Sequence, residues 1–187
     1  MTRRSAAACL LAVAALVPLS ACSGYRESGG ESDPSNYLSN QSSATIAVFK
    51  TTDPSINRFF DTAHGYAVFP SIAKGAFGVG AANGEGVVYE KGLIVGYASM
   101  TQVTIGAQIG GQAFRQVVFF QDAASFETFK RSQTEFSANA SAVAARSGAA
   151  SSNDYSKGVA VFVVPTQGLM AEASIGGQKF RYRAVGK

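Results

Sequence analysis

Four sets of side chains in this 187-residue sequence could do chemistry. The first is a thiol. Cys22 follows Leu19-Ser20-Ala21, small residues of the kind a signal-peptidase pocket accepts, and a cysteine at that place can form a thioether to diacylglycerol. The second is Lys179, Arg181 and Arg183, three cations at alternate positions. Side chains two apart in a strand share a face, so this spacing makes one basic face. The third is His64, the one histidine. Without a second histidine or a cysteine cluster it reads as a capping or packing residue rather than a metal ligand. The fourth is a scatter of acids, Glu85, Glu90, Asp122, Asp154 and Glu172, with no paired spacing that would set two carboxylates to general acid–base work. No serine stands in a nucleophile elbow. Gly75, Gly78 and Gly80 lack the lysine–serine pair and the strand–loop–helix context of a phosphate-cradling loop. The expectation is a protein that is not an enzyme and that carries no cofactor or metal.

The thiol gains meaning from what precedes it. Arg3 and Arg4 are followed by an uncharged small and apolar run from Ala6 to Val17. The run is shorter than the roughly 20 apolar residues of a spanning helix, and its length and flanks fit a secretory signal peptide. Leu19-Ser20-Ala21-Cys22 then looks like the lipobox of bacterial lipoproteins. That pattern implies cleavage after residue 21, with a covalent diacylglycerol and an acyl chain such as palmitate on Cys22. Ser23, in place of an aspartate, directs such a protein to the outer membrane, on its periplasmic face or exposed at the surface. Cys9 leaves with the signal, so the processed chain has no free thiol and no disulfide, and packing alone must stabilise it.

The precursor carries +4, and loss of Arg3 and Arg4 leaves 14 basic against 12 acidic residues. That surplus is too weak to point to nucleic acid. Twenty glycines, with phenylalanine and β-branched residues between them, point to a sheet-rich fold.

The elements that must position the cations follow from the pattern. Residues 22–41 are rich in Ser, Gly, Asn and Glu and read as a flexible tether, leaving 42–187 as the folded domain. Ser42 or Ser43 can cap a short helix bearing Ile46 and Phe49. Asp53 and Pro54 suit the cap and first position of a second, with Ile56, Phe59, Phe60 and Ala63 at helical spacing and Gly65 as its C-cap. Strands are expected over 65–70, ended by Pro70, and over 73–82, 86–90, 93–100, 102–109 and 112–121. Asp122 caps a helix bearing Phe126 and Phe129; 136–146 reads as either helix or strand; and 148–153 is a loop. Strands over 158–164, 168–175 and 178–185 complete the chain. The strand glycines are expected at sharp curvature or close packing.

Ile109-Gly-Gly-Gln-Ala-Phe-Arg115 repeats as Ile175-Gly-Gly-Gln-Lys-Phe-Arg181. Gly-Gly is a good two-residue hairpin turn. In that register Ile109 faces Gln112, Ala107 faces Phe114, and Arg115 stands on the polar face opposite Gly106. In the second hairpin Phe180 and Tyr182 turn to the core, while Lys179, Arg181 and Arg183 oppose Ser174, Glu172 and Met170. The basic face reads either as a solvated edge that blocks sheet aggregation or as a platform for anionic lipid headgroups.

In this order, Ala63-His-Gly-Tyr-Ala-Val-Phe-Pro70, Lys74-Gly-Ala-Phe-Gly-Val-Gly80, Gly86-Val-Val-Tyr89, Val103-Thr-Ile-Gly-Ala-Gln-Ile-Gly-Gly111, Val117-Val-Phe-Phe120, Ser156-Lys-Gly158 and Gly168-Leu-Met-Ala-Glu-Ala-Ser174 resemble the SYLF domain. The resemblance runs from about Ser42 to the end. It implies an α+β domain on a curved, glycine-rich antiparallel sheet, barrel-like, with a few short helices and with 136–146 as a strand. It also implies binding of membrane phospholipid, with Lys179, Arg181, Arg183 and Arg115 as candidate headgroup contacts. Eukaryotic members use an N-terminal amphipathic helix at membranes, and Ile46 and Phe49 occupy that region here. The combined expectation is a non-catalytic, lipid-anchored envelope protein that binds phospholipid; the alternative is a structural or protein-interaction module.

Overall fold

The computed structural model describes residues 33–131, 142–144, 146–167 and 177–186, and the side chains at 76–79, 104–109, 142–143 and 167 lie outside that description. Cys22, the expected signal segment, residues 22–32 of the expected tether, the expected strand over 168–175 with Ser174, Glu172 and Met170, and residues 136–141 also fall outside it. The described residues belong to one compact unit, Ser32–Lys187.

Helix α1 spans Pro34–Thr52, so residues 34–41 of the expected tether are helical. Asp33 is the N-cap, its carboxylate accepting from the Ser35 amide at 3.0 Å, and Pro34 takes the first turn. The polar composition hid a stripe: Ser42, Thr45 and Phe49 are buried, and Leu38 and Ile46 pack beside them. Ser42 also accepts a hydrogen bond from the Tyr89 hydroxyl at 3.0 Å, so even its polar group docks α1 on the sheet. As expected, Asp53 and Pro54 open a second helical stretch, a 3-10 turn Pro54–Ile56 running into α2, Asn57–Thr62. Gly65 is not its left-handed cap. The helix closes at extended Ala63, and Gly65 starts a strand where a Cβ would lie 2.7 Å from the Phe126 ring and 2.8 Å from the Tyr89 carbonyl.

The separate strands expected between 65 and 121 are two long ones, β1 (Gly65–Glu90) and β2 (Leu93–Phe120), paired antiparallel from end to end. Their turn is Lys91-Gly92, with φ of 49° and 80°, the positive pair a type I′ hairpin requires. Gly110-Gly111 is therefore not a turn. Gly110 pairs with Ala76, Gly111 with Gly75, and Ile109 with Phe77 rather than Gln112. Nor does Pro70 end a strand: the register shifts between Phe69 and Ile72, and this bulge accommodates a residue that has no N–H to give. The ribbon doubles back on itself. The Lys91 amide donates to the His64 carbonyl, and a Cβ at Gly84 or Gly86 would strike Ile72, the Val68 carbonyl or Phe69. Gly65, Gly84 and Gly86 thus stand at close packing, whereas Gly75 has open space where a Cβ would be.

Helix α3 spans Ala123–Arg131, with the Asp122 carboxylate accepting from the Ser125 amide at 2.8 Å. Strand β4 (Val159–Gln167) pairs antiparallel with residues 113–120 of β2, and β3 (Ala142–Ala144) pairs parallel with β4. Strand β5 (Gln178–Ala184) pairs antiparallel with residues 96–102 of β2. The sheet path β1-β2-β4-β3, with β5 on β2, is not closed among the described residues. The fold is the expected α+β class, with one parallel pair in an otherwise antiparallel sheet.

Each face of the sheet carries a core. One face holds Phe69, Met100, Val118 and Phe120 with Phe126 and Phe129 of α3 and Phe180 of β5. The other holds Val68, Val117, Phe119 and Phe162 under Phe49 of α1 and Phe59 of α2. This explains the unbroken apolar run Val117-Val-Phe-Phe120: alternate residues enter opposite cores, and all four are buried.

Candidate functional site

Strand β5 keeps the alternation its sequence requires. Gln178 and Phe180 are buried and Tyr182 half-buried, while Lys179, Arg181 and Arg183 are exposed on the other face. The inward side fixes the strand. Gln178 exchanges hydrogen bonds with the buried Gln116 at 3.1 and 3.2 Å, and the Tyr182 hydroxyl donates to the Val95 carbonyl at 2.8 Å. Phe180 lies 5.6 Å from Phe69 and 5.7 Å from Phe129, ring centre to ring centre. Gly96 lets β5 approach; a Cβ there would lie 2.4 Å from the Arg183 carbonyl.

The outward side faces β2. Lys179 pairs with Thr101, Arg181 with Ser99, and Arg183 with Tyr97, whose ring lies 5.9 Å from the guanidinium. One strand further, β1 adds Asn83 beside Thr101, Glu85 beside Ser99 and Val87 beside Tyr97. Same-face residues on a strand stand about 7 Å apart. The three cations therefore form a straight row with hydroxyls and an aromatic ring at their feet. Arg181 has no carboxylate in ion-pair distance among the described residues.

Arg115 is not part of this row. It sits on the other half of β2, opposite Val164 of β4, half-buried beside α1. It borders a groove of about 570 Å³ that also takes in Gln41 and Thr45 of α1, Ser71 of β1 and Thr166 of β4. A second groove, about 380 Å³, is lined by Asn83, Glu85, Ser99 and Thr101 and shares Ser71 with the first. Three of the four candidate cations are thus brought together, and the fourth lies in a recess of its own.

Other charged groups hold the fold. His64 Nε2 lies 3.0 Å from Glu90 at the end of β1; Lys130 of α3 lies 3.7 Å from Glu90 and 2.6 Å from Glu127. The hydrogen bond to Glu127 raises the Lys130 pKa, and Lys130 in turn lowers that of Glu127. This cluster ties the hairpin end to α3, in keeping with a packing role for His64. Asp53 does more than its cap position foretold. Fully buried, it accepts from the Ser55 amide and hydroxyl (3.1 and 2.6 Å) and from the Gly148 and Ala150 amides (3.1 and 2.7 Å). Burial pushes its pKa up, but these hydrogen bonds outweigh it and hold the carboxyl below its ordinary value. Arg58 clasps the same loop, donating to the Ala150 and Asn153 carbonyls. Nothing in the spacing of Asp53 or Arg58 announced a partner more than 90 residues away. Among the described residues no three acids, histidines or cysteines gather as a metal site, and no helix is long and apolar enough to cross a membrane.

A family model described as Las17-binding protein actin regulator, Ysc84, matches residues 101–185. Residues 101–185 thus carry a SYLF, or Ysc84, domain. The SYLF match opens at the β2 residue that pairs with Lys179 and runs through β5, so it contains all four candidate cations. The chain is also 33% identical over 138 residues to beta cell expansion factor A of Aeromonas veronii. That alignment covers 73% of this chain and 52% of the relative, so the chain spans about half the length of the curated relative it matches. The amphipathic helix of eukaryotic SYLF members has no free counterpart in α1: Phe49 is buried and Ile46 packs on the sheet.

Proposed function

We propose that this SYLF protein is a bacterial lipoprotein, held at the periplasmic face of the outer membrane by acyl chains on Cys22, whose domain binds phospholipid headgroups without catalysing a reaction. The exposed row Lys179, Arg181 and Arg183 carries the lipid reading. Each cation near an anionic bilayer contributes about 1 kcal/mol, and a straight row on a rigid strand can bring all three to one plane. The row is built from the inside by Phe180, Tyr182 and Gln178, so it does not depend on a flexible loop. The motif Leu19-Ser20-Ala21-Cys22 supports the anchor. With α1 committed to the sheet, β5 takes the place of an amphipathic helix as the membrane-facing element.

Vesicle flotation tests this reading on the full chain carrying Cys22→Ala, so that no acyl chain supplies the contact. The domain should float with vesicles containing phosphatidylglycerol or cardiolipin at low salt and be released as salt screens the charges. No association at low salt sinks the lipid reading; radioactive palmitate that fails to label the native chain sinks the anchor.

A second reading, a protein-interaction module of the envelope, is favoured by apolar residues left exposed at the β1–β2 tip and beside it. Leu93 is 73% and Val185 55% exposed, and Val185 is hydrogen-bonded to neighbouring Val95. Crosslinking in cells that captures one stoichiometric protein through the hairpin tip would favour this reading over the lipid one.

A further inference from the structure

We infer that the recess holding Arg115 is an anion site for a phosphate monoester, separate from the β5 row; this deepens the headgroup reading and rests on it for the biological source of the phosphate. Three observations on the page converge. Arg115 is half-buried, and no carboxylate lines its groove or pairs with it among the described residues. A guanidinium withdrawn from water without a counter-charge is unfavourable, and a bound anion supplies the missing charge. The groove offers neutral donors to complete the shell: the hydroxyls of Thr45, Ser71 and Thr166 and the amide of Gln41. These come from α1, β1 and β4, around a guanidinium on β2, so four elements line one groove. Thr45 is 98% buried, yet it borders this groove rather than sealing α1 against the sheet with an apolar group.

The third observation is the bulge. Pro70 cannot donate to the ladder, and the register shift between Phe69 and Ile72 leaves Ser71 out of the β1–β2 pairing. Bulges re-aim side chains beside binding sites, and this one sets an exposed serine at the border of both grooves. The planar guanidinium suits a bidentate contact with two phosphate oxygens, leaving the others to the hydroxyls. A volume of about 570 Å³ accommodates a phosphate with a glycerol attached.

The test titrates inorganic phosphate, and then glycerol 3-phosphate, into the full chain carrying Cys22→Ala at constant ionic strength, following backbone amides by NMR. Saturable shifts at Thr45, Ala113 and Arg115 are expected. Arg115→Gln should weaken binding by about tenfold or more, and Arg115→Lys should recover part of it. Should Arg115→Gln not fold, Thr166→Val on the exposed rim serves instead and should weaken binding severalfold. Vesicles then separate the two sources. If phosphatidic acid is preferred to phosphatidylglycerol at equal surface charge, and Arg115→Gln erases the preference, the ligand is a lipid headgroup. Saturable phosphate binding without that preference makes it a free phosphate compound. Linear, unsaturable shifts, or equal affinity in folded Arg115→Gln, overturn the site even where vesicles still bind. Phosphate shifts that persist in a chain that ignores every vesicle sink the membrane reading and leave this site standing.

Discussion

Asp53 and Arg181 are two charges treated in opposite ways. Asp53 is sealed from water and accepts from three amides, those of Ser55, Gly148 and Ala150, and from the Ser55 hydroxyl. Arg181 is thrust into solvent from a strand whose other side is locked into the core. A charge whose hydrogen-bonding capacity is filled by the protein holds the fold; a charge held rigidly with no carboxylate in ion-pair distance among the described residues is available to a partner. The same contrast separates the His64–Glu90–Lys130–Glu127 cluster from Arg115.

The comparison breaks if the two kinds of charge fail to separate stability from binding. Asp53→Ala leaves the buried Ala150 amide and the part-buried Gly148 amide without their acceptor and should cost about 3 kcal/mol in urea denaturation, with vesicle affinity per folded molecule unchanged. Lys179→Glu with Arg181→Glu should do the reverse. Flotation with anionic vesicles should weaken by more than tenfold at low salt, while stability moves by no more than about 0.5 kcal/mol. Unchanged flotation would move the membrane contact away from β5. Gly96→Ala sharpens the contrast by touching both properties. Its Cβ would drive β5 from β2 and should cost about 2 kcal/mol, with binding falling because the row loses its support.

The smallest effect is in acid. The Asp53 carboxyl has a folded-state pKa below its ordinary value of about 3.9, so its stabilisation is complete above that value and is lost as pH falls through the folded-state value. Acid unfolding of Asp53→Asn should therefore be less steep below pH ~4 than that of the parent, measured by circular dichroism, and β5 charge reversal should leave the steepness alone.

Much of the site was legible because a strand has only one period. The alternation of Lys179, Arg181 and Arg183 with Phe180 and Tyr182 needed no knowledge of which strand lay beside β5, and it stands in the fold as read. What needed a partner was less legible. Gly110-Gly111 has the chemistry of a turn, but glycine also serves extended backbone, and pairing with Gly75 and Ala76 keeps it in the strand. The first turns of α1 hid in a polar stretch because Leu38 packs on the core there while its neighbour Tyr37 stays exposed, too little for an apolar stripe to show. Arg115 was singled out for its place on a polar face, yet its recess depends on α1 and β4, which lie far from it in sequence. Asp53 was legible as a cap but not as a clamp, because its second pair of donors comes from a distant loop.

End-to-end pairing of β1 with β2 sets Gly65 against Phe120, and β5, last in the sequence, attaches only once the β2 residues it needs are laid out. Sheets assembled from such distant contacts form slowly, on the scale of milliseconds to seconds. For the exported lipoprotein proposed above this tardiness would be useful: a polypeptide still unzipped can be threaded through a narrow conduit, and β5 would complete the basic row only after arrival.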